Sequence, residues 1–180
     1  LYSVSLPSSD AYDESGVNVK LISSDKGYSS GLACKSGDFI LKTYMSIETN
    51  REISLIDLNG KEYRTILNSD NPLDDYEIGS MEMLELKADD GTDLYARMIK
   101  PSHFDSAKKY PVLVYVYGGP HAQMVKDTWL GAAPLWMYYM AEQGYLVFTL
   151  DNRGSANRGL AFEQVIHRQL GKVEMLDQLK

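Results

Sequence analysis

The sequence predicts a chain of two characters, all-β over residues 1 to about 70 and α/β beyond. Three observations predict it. Short alternating or β-branched runs, separated by Gly, Ser, Asp and Asn, fill the first part. Two almost unbroken apolar runs, residues 110–117 and 145–150, mark the second. Between these runs, residues 134–143 carry Trp136, Tyr139 and Met140 at helical spacing. Continuous apolar runs of this length suit strands buried on both faces, as in a parallel sheet covered by helices. Strand, Gly turn, helix, strand is a βαβ unit.

Taken in order, residues 1–6 alternate, and strand-like runs follow at 17–23, 31–35, 39–46, 51–58 and 61–67. Asn59-Gly60 between two such runs is a strong hairpin signal, and residues 47–50 are a second turn of hairpin length. Antiparallel strands at this spacing suit a sandwich, a barrel or propeller blades. The polar stretch 68–80, with Pro72, reads as a linker. Residues 81–87 and 92–100 alternate around Asp89-Asp90-Gly91, a further hairpin. Pro134 suits a first helical position and Gly144 the residue just past the helix end. Residues 158–170 read as a helix broken by Gly171. Val173, Leu176 and Leu179 then outline another amphipathic helix.

Composition narrows the function. Eighteen Lys plus Arg against twenty-five Asp plus Glu give a net charge of -7. Nucleic acid demands a basic face, so it is not an expected partner. No apolar run approaches the length of a transmembrane helix. The chain opens on Leu1 rather than Met, inside a strand-like run, and reads as a piece of something longer. Cys34 is alone, which excludes an internal disulfide.

Chemistry concentrates where the apolar runs stop. Tyr117-Gly118-Gly119-Pro120-His121 ends the first, and Asp151-Asn152-Arg153-Gly154-Ser155 ends the second. Catalytic groups gather at the carboxyl ends of parallel strands. Two glycines let a backbone turn sharply and approach a ligand closely. A phenol there donates a hydrogen bond to a developing oxyanion, or it is a core tyrosine beside an ordinary turn. Arg153 carries a fixed fork of donors, suited to Asp151 or to a neighbouring loop. His103, His121 and His167 have no partners at metal-ligand spacing, so no metal is expected. Gly118-Gly119-Pro120 matches neither phosphate-binding fingerprint.

YPVLVYVYGGPHAQ followed by DNRGSANRG resembles the prolyl oligopeptidase group of serine peptidases, and within it the dipeptidyl peptidase IV family. The likeness covers about residues 80–180; over residues 1–70 it rests on β content and position. It implies the last antiparallel strands of a β-propeller over 1–72, a linker over 73–80, and the N-terminal half of an α/β-hydrolase domain over 81–180. It also implies that Tyr117 donates its hydroxyl to the oxyanion hole, the second donor being the backbone N–H after the nucleophilic serine. Tyr115 is the backup phenol, and Gly118, Gly119 and Arg153 line the site. The implied activity is release of dipeptides from peptide N-termini through an acyl-enzyme, without a cofactor. The implied location is periplasmic or extracellular and membrane-anchored. An acylaminoacyl-type oligopeptidase would show His where Tyr117 stands. A hydrolase-like scaffold that has lost its nucleophile, or an unrelated β-rich binding module, would also fit the strands.

No Gly-x-Ser-x-Gly occurs in the α/β part of the sequence, the one match, Gly27-Tyr28-Ser29-Ser30-Gly31, falling in the all-β part, so nucleophile, acid and base are expected beyond Lys180, and the chain alone is expected to be inactive. Strands cut from their neighbours expose apolar faces, here Val112, Val114, Val116, Val147 and Phe148, and open edges, which template pairing with another chain. The 180-residue chain is therefore expected to self-associate. Light scattering behind a sizing column checks this; a compact monomer with a single cooperative melt would contradict it.

Overall fold

Strand-forming and helix-forming residues sort into two compact units, residues 1–71 with 127–129, and residues 72–126 with 130–180. The computed structural model describes residues 1–5 and 18–180.

In the first unit, β1 (Tyr2–Ser5) pairs antiparallel with β2 (Asn18–Leu21). A four-stranded antiparallel meander follows, formed by β3 (Tyr28–Ala33), β4 (Phe39–Met45), β5 (Glu52–Asp57) and β6 (Glu62–Asn68). The Asn59-Gly60 turn joins β5 to β6 because Gly60 takes a φ of 85°. The Asp57 carboxylate locks that turn by accepting the N–H groups of Asn59 (2.8 Å) and Lys61 (2.9 Å). Ile22, Ile40 and Ile56 form a small core, with Leu1 packed beside it. Every residue of β6 is exposed.

The second unit is built on one mixed sheet, in the order β7 (Ser80–Lys87), β8 (Asp93–Lys100), β10 (Leu146–Asp151), β9 (Val112–Val114). The β7–β8 hairpin turns at Asp90-Gly91, where Gly91 has a φ of 86° and Asp90 accepts the Thr92 N–H at 3.0 Å. β8 and β10 are antiparallel. β9 and β10 are parallel, joined through α1 (Leu135–Glu142), which completes the βαβ unit.

Alternation along the strands divides the core in two. Ile99 and Val147 face α1 and pack with Met137, Tyr138 and Ala141. On the other face Leu94, Ala96 and Leu150 pack with Phe162 of α2 (Leu160–Gln164). Met137 is fully buried, a burial that stabilises by about 1.5–3 kcal/mol.

Several sequence expectations need correction. The apolar run 110–117 yields only three residues of strand; one further bond, from Tyr115 N–H to the Phe148 carbonyl (2.8 Å), ends the pairing. β9 is an edge strand, and Val112, Val114 and Val116 are 57%, 52% and 50% exposed, as expected for strands cut from their neighbours; Val147 and Phe148, expected to be exposed with them, are buried and half-buried. Burial on both faces holds for β10 but not for β9, because α1 covers only the side of Leu113 and Tyr115. In α1 the buried stripe is Met137, Tyr138 and Ala141, while Trp136 and Tyr139 stay largely exposed. A helix apolar all round carries no polar side by which sequence can choose its inner face. Pro134 is the extended residue before the helix rather than its first residue; Gly144, at a φ of 89°, does follow its end. Only α2 forms within 158–170, followed by turns in which Arg168 has a φ of 58°. α3 (Val173–Gln178) buries Glu174 and Asp177 rather than its apolar stripe; Leu176 and Leu179 are exposed.

Two charged side chains on the α1 side of the sheet hold the chain after β9. Arg97, 1% exposed, donates to the carbonyls of Met124 (2.7 Å) and Gly131 (2.5 Å). Asp151 accepts the N–H groups of Met124 (2.8 Å) and Val125 (2.9 Å). Burial pushes the Asp151 carboxyl above its ordinary value, while the two N–H donors and the Arg97 charge pull it back. Breaking a buried, hydrogen-bonded charge arrangement by truncating one partner costs about 3–5 kcal/mol. Asp151→Ala is expected to lose that much in urea unfolding. Asp89→Ala, at an exposed ion pair with Lys180, should lose less than about 1 kcal/mol. Equal urea midpoints for Asp151→Ala and wild type would show that Asp151 holds nothing.

Candidate active site

β9 and β10 run parallel, so their carboxyl ends lie on the same side of the sheet. Tyr117-Gly118-Gly119 follows one and Asn152-Arg153-Gly154 the other. The two segments are joined directly. His121 N–H donates to the Gly154 carbonyl at 2.9 Å, Ala156 N–H to the Ala122 carbonyl at 3.3 Å, and Asn152 Nδ2 reaches the Gly118 carbonyl at 3.5 Å.

Backbone geometry favours glycine at the first position of the pair, and the Tyr117 ring occupies the space over the second. Gly118 has a φ of 68°, in the left-handed region that favours glycine. At Gly119, an added Cβ would stand 2.8 Å from Tyr117 Cε1, so the tyrosine ring folds back over this glycine. Tyr117 is 66% exposed, with its phenol at the end of the strand. Tyr115 goes the other way: its ring enters the core under α1 and meets Trp136 edge-on, 5.9 Å between centroids.

Arg153 does not pair with Asp151. Its Nη2 donates to Asp177 at 2.7 Å, its Nε to Asp177 at 3.0 Å, and its backbone N–H to the same carboxylate at 2.9 Å. Its Nη1 reaches Asp90 in the β7–β8 turn at 2.5 Å. The Asp177 carboxylate, then burial acting against it, then Asp90 set a guanidinium held above its ordinary value. Arg153 thus ties α3 and a hairpin to the end of β10. Ser155 is 3% exposed and its Oγ donates to the Asn152 carbonyl at 2.8 Å, a turn brace rather than a nucleophile.

His103 pairs with Glu77 at 3.1 Å and His121 with Glu163 at 3.0 Å. His167 lines a cavity of about 350 Å³ with His121, Leu160 and Glu163. Among the described residues no group of three or more His, Cys, Asp or Glu is placed to hold a metal, and no helix is long and apolar enough to cross a membrane. Sequence reasoning missed Asp177, Asn152 and Gln178. The available signal was Arg153 itself, a buried-loop guanidinium that needed a carboxylate other than Asp151.

Comparison with known proteins agrees with this arrangement of strands and loops. Residues 134–180 match the prolyl oligopeptidase family. Dipeptidyl peptidase 8 of Mus musculus is 33% identical over 181 residues, covering 94% of this chain and 20% of that protein. Prolyl endopeptidase FAP of Mus musculus is 35% identical over 149 residues, covering 82% of this chain and 18% of that protein. The crystal structure of Porphyromonas gingivalis dipeptidyl peptidase 4 superposes with a TM-score of 0.80 at 30% identity, over 90% of this chain and 23% of that one. That of a Bacteroides ovatus ATCC 8483 protein assigned as a dipeptidyl aminopeptidase IV does so with a TM-score of 0.83 at 48% identity, over 86% and 22%. The chain belongs to the prolyl oligopeptidase family of serine peptidases. Within that family it falls in the dipeptidyl peptidase IV branch, and it spans about a fifth of the length of these relatives.

One pH dependence follows from the Arg153 cluster. The Asp90 carboxyl lies below its ordinary value of 3.8, first through its Thr92 hydrogen bonds and then through Arg153. A lowered carboxyl stabilises the folded chain above the unfolded value, and this is lost as pH falls through the folded one. Wild type is therefore expected to exceed Asp90→Asn in urea midpoint near neutrality, with the gap closing below a pH of about 3.8. A gap independent of pH would assign the effect to turn shape instead.

Proposed function

We propose that this chain is part of a serine dipeptidyl peptidase and that Tyr117 donates its hydroxyl to the oxyanion hole. One observation carries the reading: an exposed phenol at the carboxyl end of a parallel strand, seated on a Gly-Gly turn that is tied to the next strand's loop. An oxyanion donor must lie 2.7–3.1 Å from the developing charge, and it is useful only if its mounting is rigid. The Arg97 and Asp151 anchors supply such a mounting a few residues further along the chain. Tyr115, packed against Trp136, is the poorer candidate because its ring is spent on the core.

In this reading residues 1–72 are the last antiparallel strands of a β-propeller, 73–80 a linker, and 81–180 the N-terminal half of an α/β-hydrolase domain. The serine, its acid and its base come from outside this chain, and peptide N-termini are the substrate. Gly118, Gly119 and Arg153 shape the wall of the site, Arg153 through Asp177 and Asp90 rather than by touching substrate. A periplasmic or extracellular location goes with the same reading.

Removing one oxyanion donor costs about 2.7–4 kcal/mol of transition-state stabilisation. In the full-length enzyme, Tyr117→Phe is expected to lower kcat about 10²–10³-fold with KM nearly unchanged, since the donor acts in the transition state. Tyr115→Phe should cost far less. Steady-state hydrolysis of an Xaa-Pro chromogenic substrate measures both, and an unaltered kcat for Tyr117→Phe would return that residue to a packing role.

A further inference from the structure

Asn152 is the first residue after β10 and is 2% exposed. Nδ2 donates to the Arg153 carbonyl at 2.7 Å and reaches the Gly118 carbonyl at 3.5 Å. Oδ1 accepts from Gln178 Nε2 of α3 at 3.0 Å, and the same Nε2 donates to the Leu150 carbonyl at 3.1 Å. These partners fix which end of the carboxamide is which. A flipped amide would aim its oxygen at two carbonyl oxygens and its NH2 at another NH2. The NH2 therefore points at the turn that carries Tyr117.

A Cβ built at Gly118 would stand 3.6 Å from Asn152 Oδ1 and 3.5 Å from Val116 Cγ1, so the asparagine lies directly beside the turn. The Gly118 carbonyl belongs to the peptide joining Gly118 to Gly119, and the Tyr117 ring lies over Gly119. Rotating that peptide removes the seat of the ring. Two successive glycines impose little backbone preference of their own, so a restraint must come from outside the turn. The bonds at His121 and Ala156 hold the far side of this segment. Asn152 is the side chain that reaches the near side.

We propose that Asn152, oriented by Gln178, is a positioning residue for Tyr117, fixing the Gly118 carbonyl and through it the direction of the phenol. This rests on the reading of Tyr117 as an oxyanion donor. A misplacement of about 1 Å in a catalytic group can cost about 10²-fold in rate, so the restraint matters to kcat rather than to substrate affinity.

The test uses the full-length enzyme and Gly-Pro-p-nitroanilide, with Asn152→Ala, Asn152→Asp, Tyr117→Phe and the double variant Tyr117→Phe/Asn152→Ala. Asn152→Asp keeps the shape and the bond from Gln178 but removes the donor toward Gly118. Both Asn152 variants are expected to lose about 10- to 100-fold in kcat with KM within about twofold. In the Tyr117→Phe background, Asn152→Ala should cost less than about twofold more, because the two residues act as a unit. Normal kcat in Asn152→Asp, or full additivity in the double variant, overturns the positioning role while leaving Tyr117 as donor. Normal kcat in Tyr117→Phe overturns the donor reading itself. If Asn152→Ala fails to fold, the isosteric Asn152→Asp decides alone, in single and double form.

Discussion

The carboxylate of Asp151 is the constraint on which the second unit depends. It is buried at the end of β10, where burial alone would favour its neutral form. Two backbone N–H groups and the Arg97 charge offset that cost. In return, the segment 124–125 is held against the sheet. Arg97 completes the arrangement from the neighbouring strand by taking the carbonyls of Met124 and Gly131. Donors and acceptors of one irregular segment are thus satisfied by two side chains that leave the same face of one sheet.

Asp151 is the first of three consecutive residues that divide the work. Asp151 holds the segment after the Tyr117 turn, Asn152 meets the turn itself and Gln178, and Arg153 grips Asp177 and Asp90. Three elements far apart in sequence converge on the end of one strand. The Asp177 side chain explains an inversion in α3, whose apolar residues are exposed. A carboxylate bonded three times by one arginine outweighs the burial of one or two leucines at the surface of a small helix.

Much of the fold was legible because it is written in local chemistry. The Asn59-Gly60 and Asp90-Gly91 turns were readable since only glycine enters those backbone conformations at no steric cost, and a neighbouring aspartate caps each. The βαβ unit was readable from the lengths of two apolar runs and the Gly144 stop. The inner face of α1 was not, because its apolar residues surround the helix and nothing local distinguishes Met137 from Trp136. The length of β9 was not either: the apolar run 110–117 forms only three residues of strand, although the exposure of Val112, Val114 and Val116 was expected of a strand without its neighbour. Hydropathy states what a residue prefers and says nothing of whether a neighbour is there to cover it.

At the candidate site, sequence by itself determined the residue types: a tyrosine before two glycines at one strand end, and an Asp-Asn-Arg-Gly turn at the next. It determined these because a backbone that must enter the left-handed region at Gly118 favours glycine there, and a second glycine at 119 leaves room for the Tyr117 ring. Tertiary structure decided the pairings. Arg153 pairs with Asp177, twenty-four residues away, rather than with Asp151, because the Asp151 carboxylate is taken by the N–H groups of Met124 and Val125 while α3 brings Asp177 to the Arg153 backbone and guanidinium alike. Tyr115 and Tyr117, alike in sequence, part company because strand pairing ends at Tyr115, leaving the first ring under α1 and the second free to fold over Gly119.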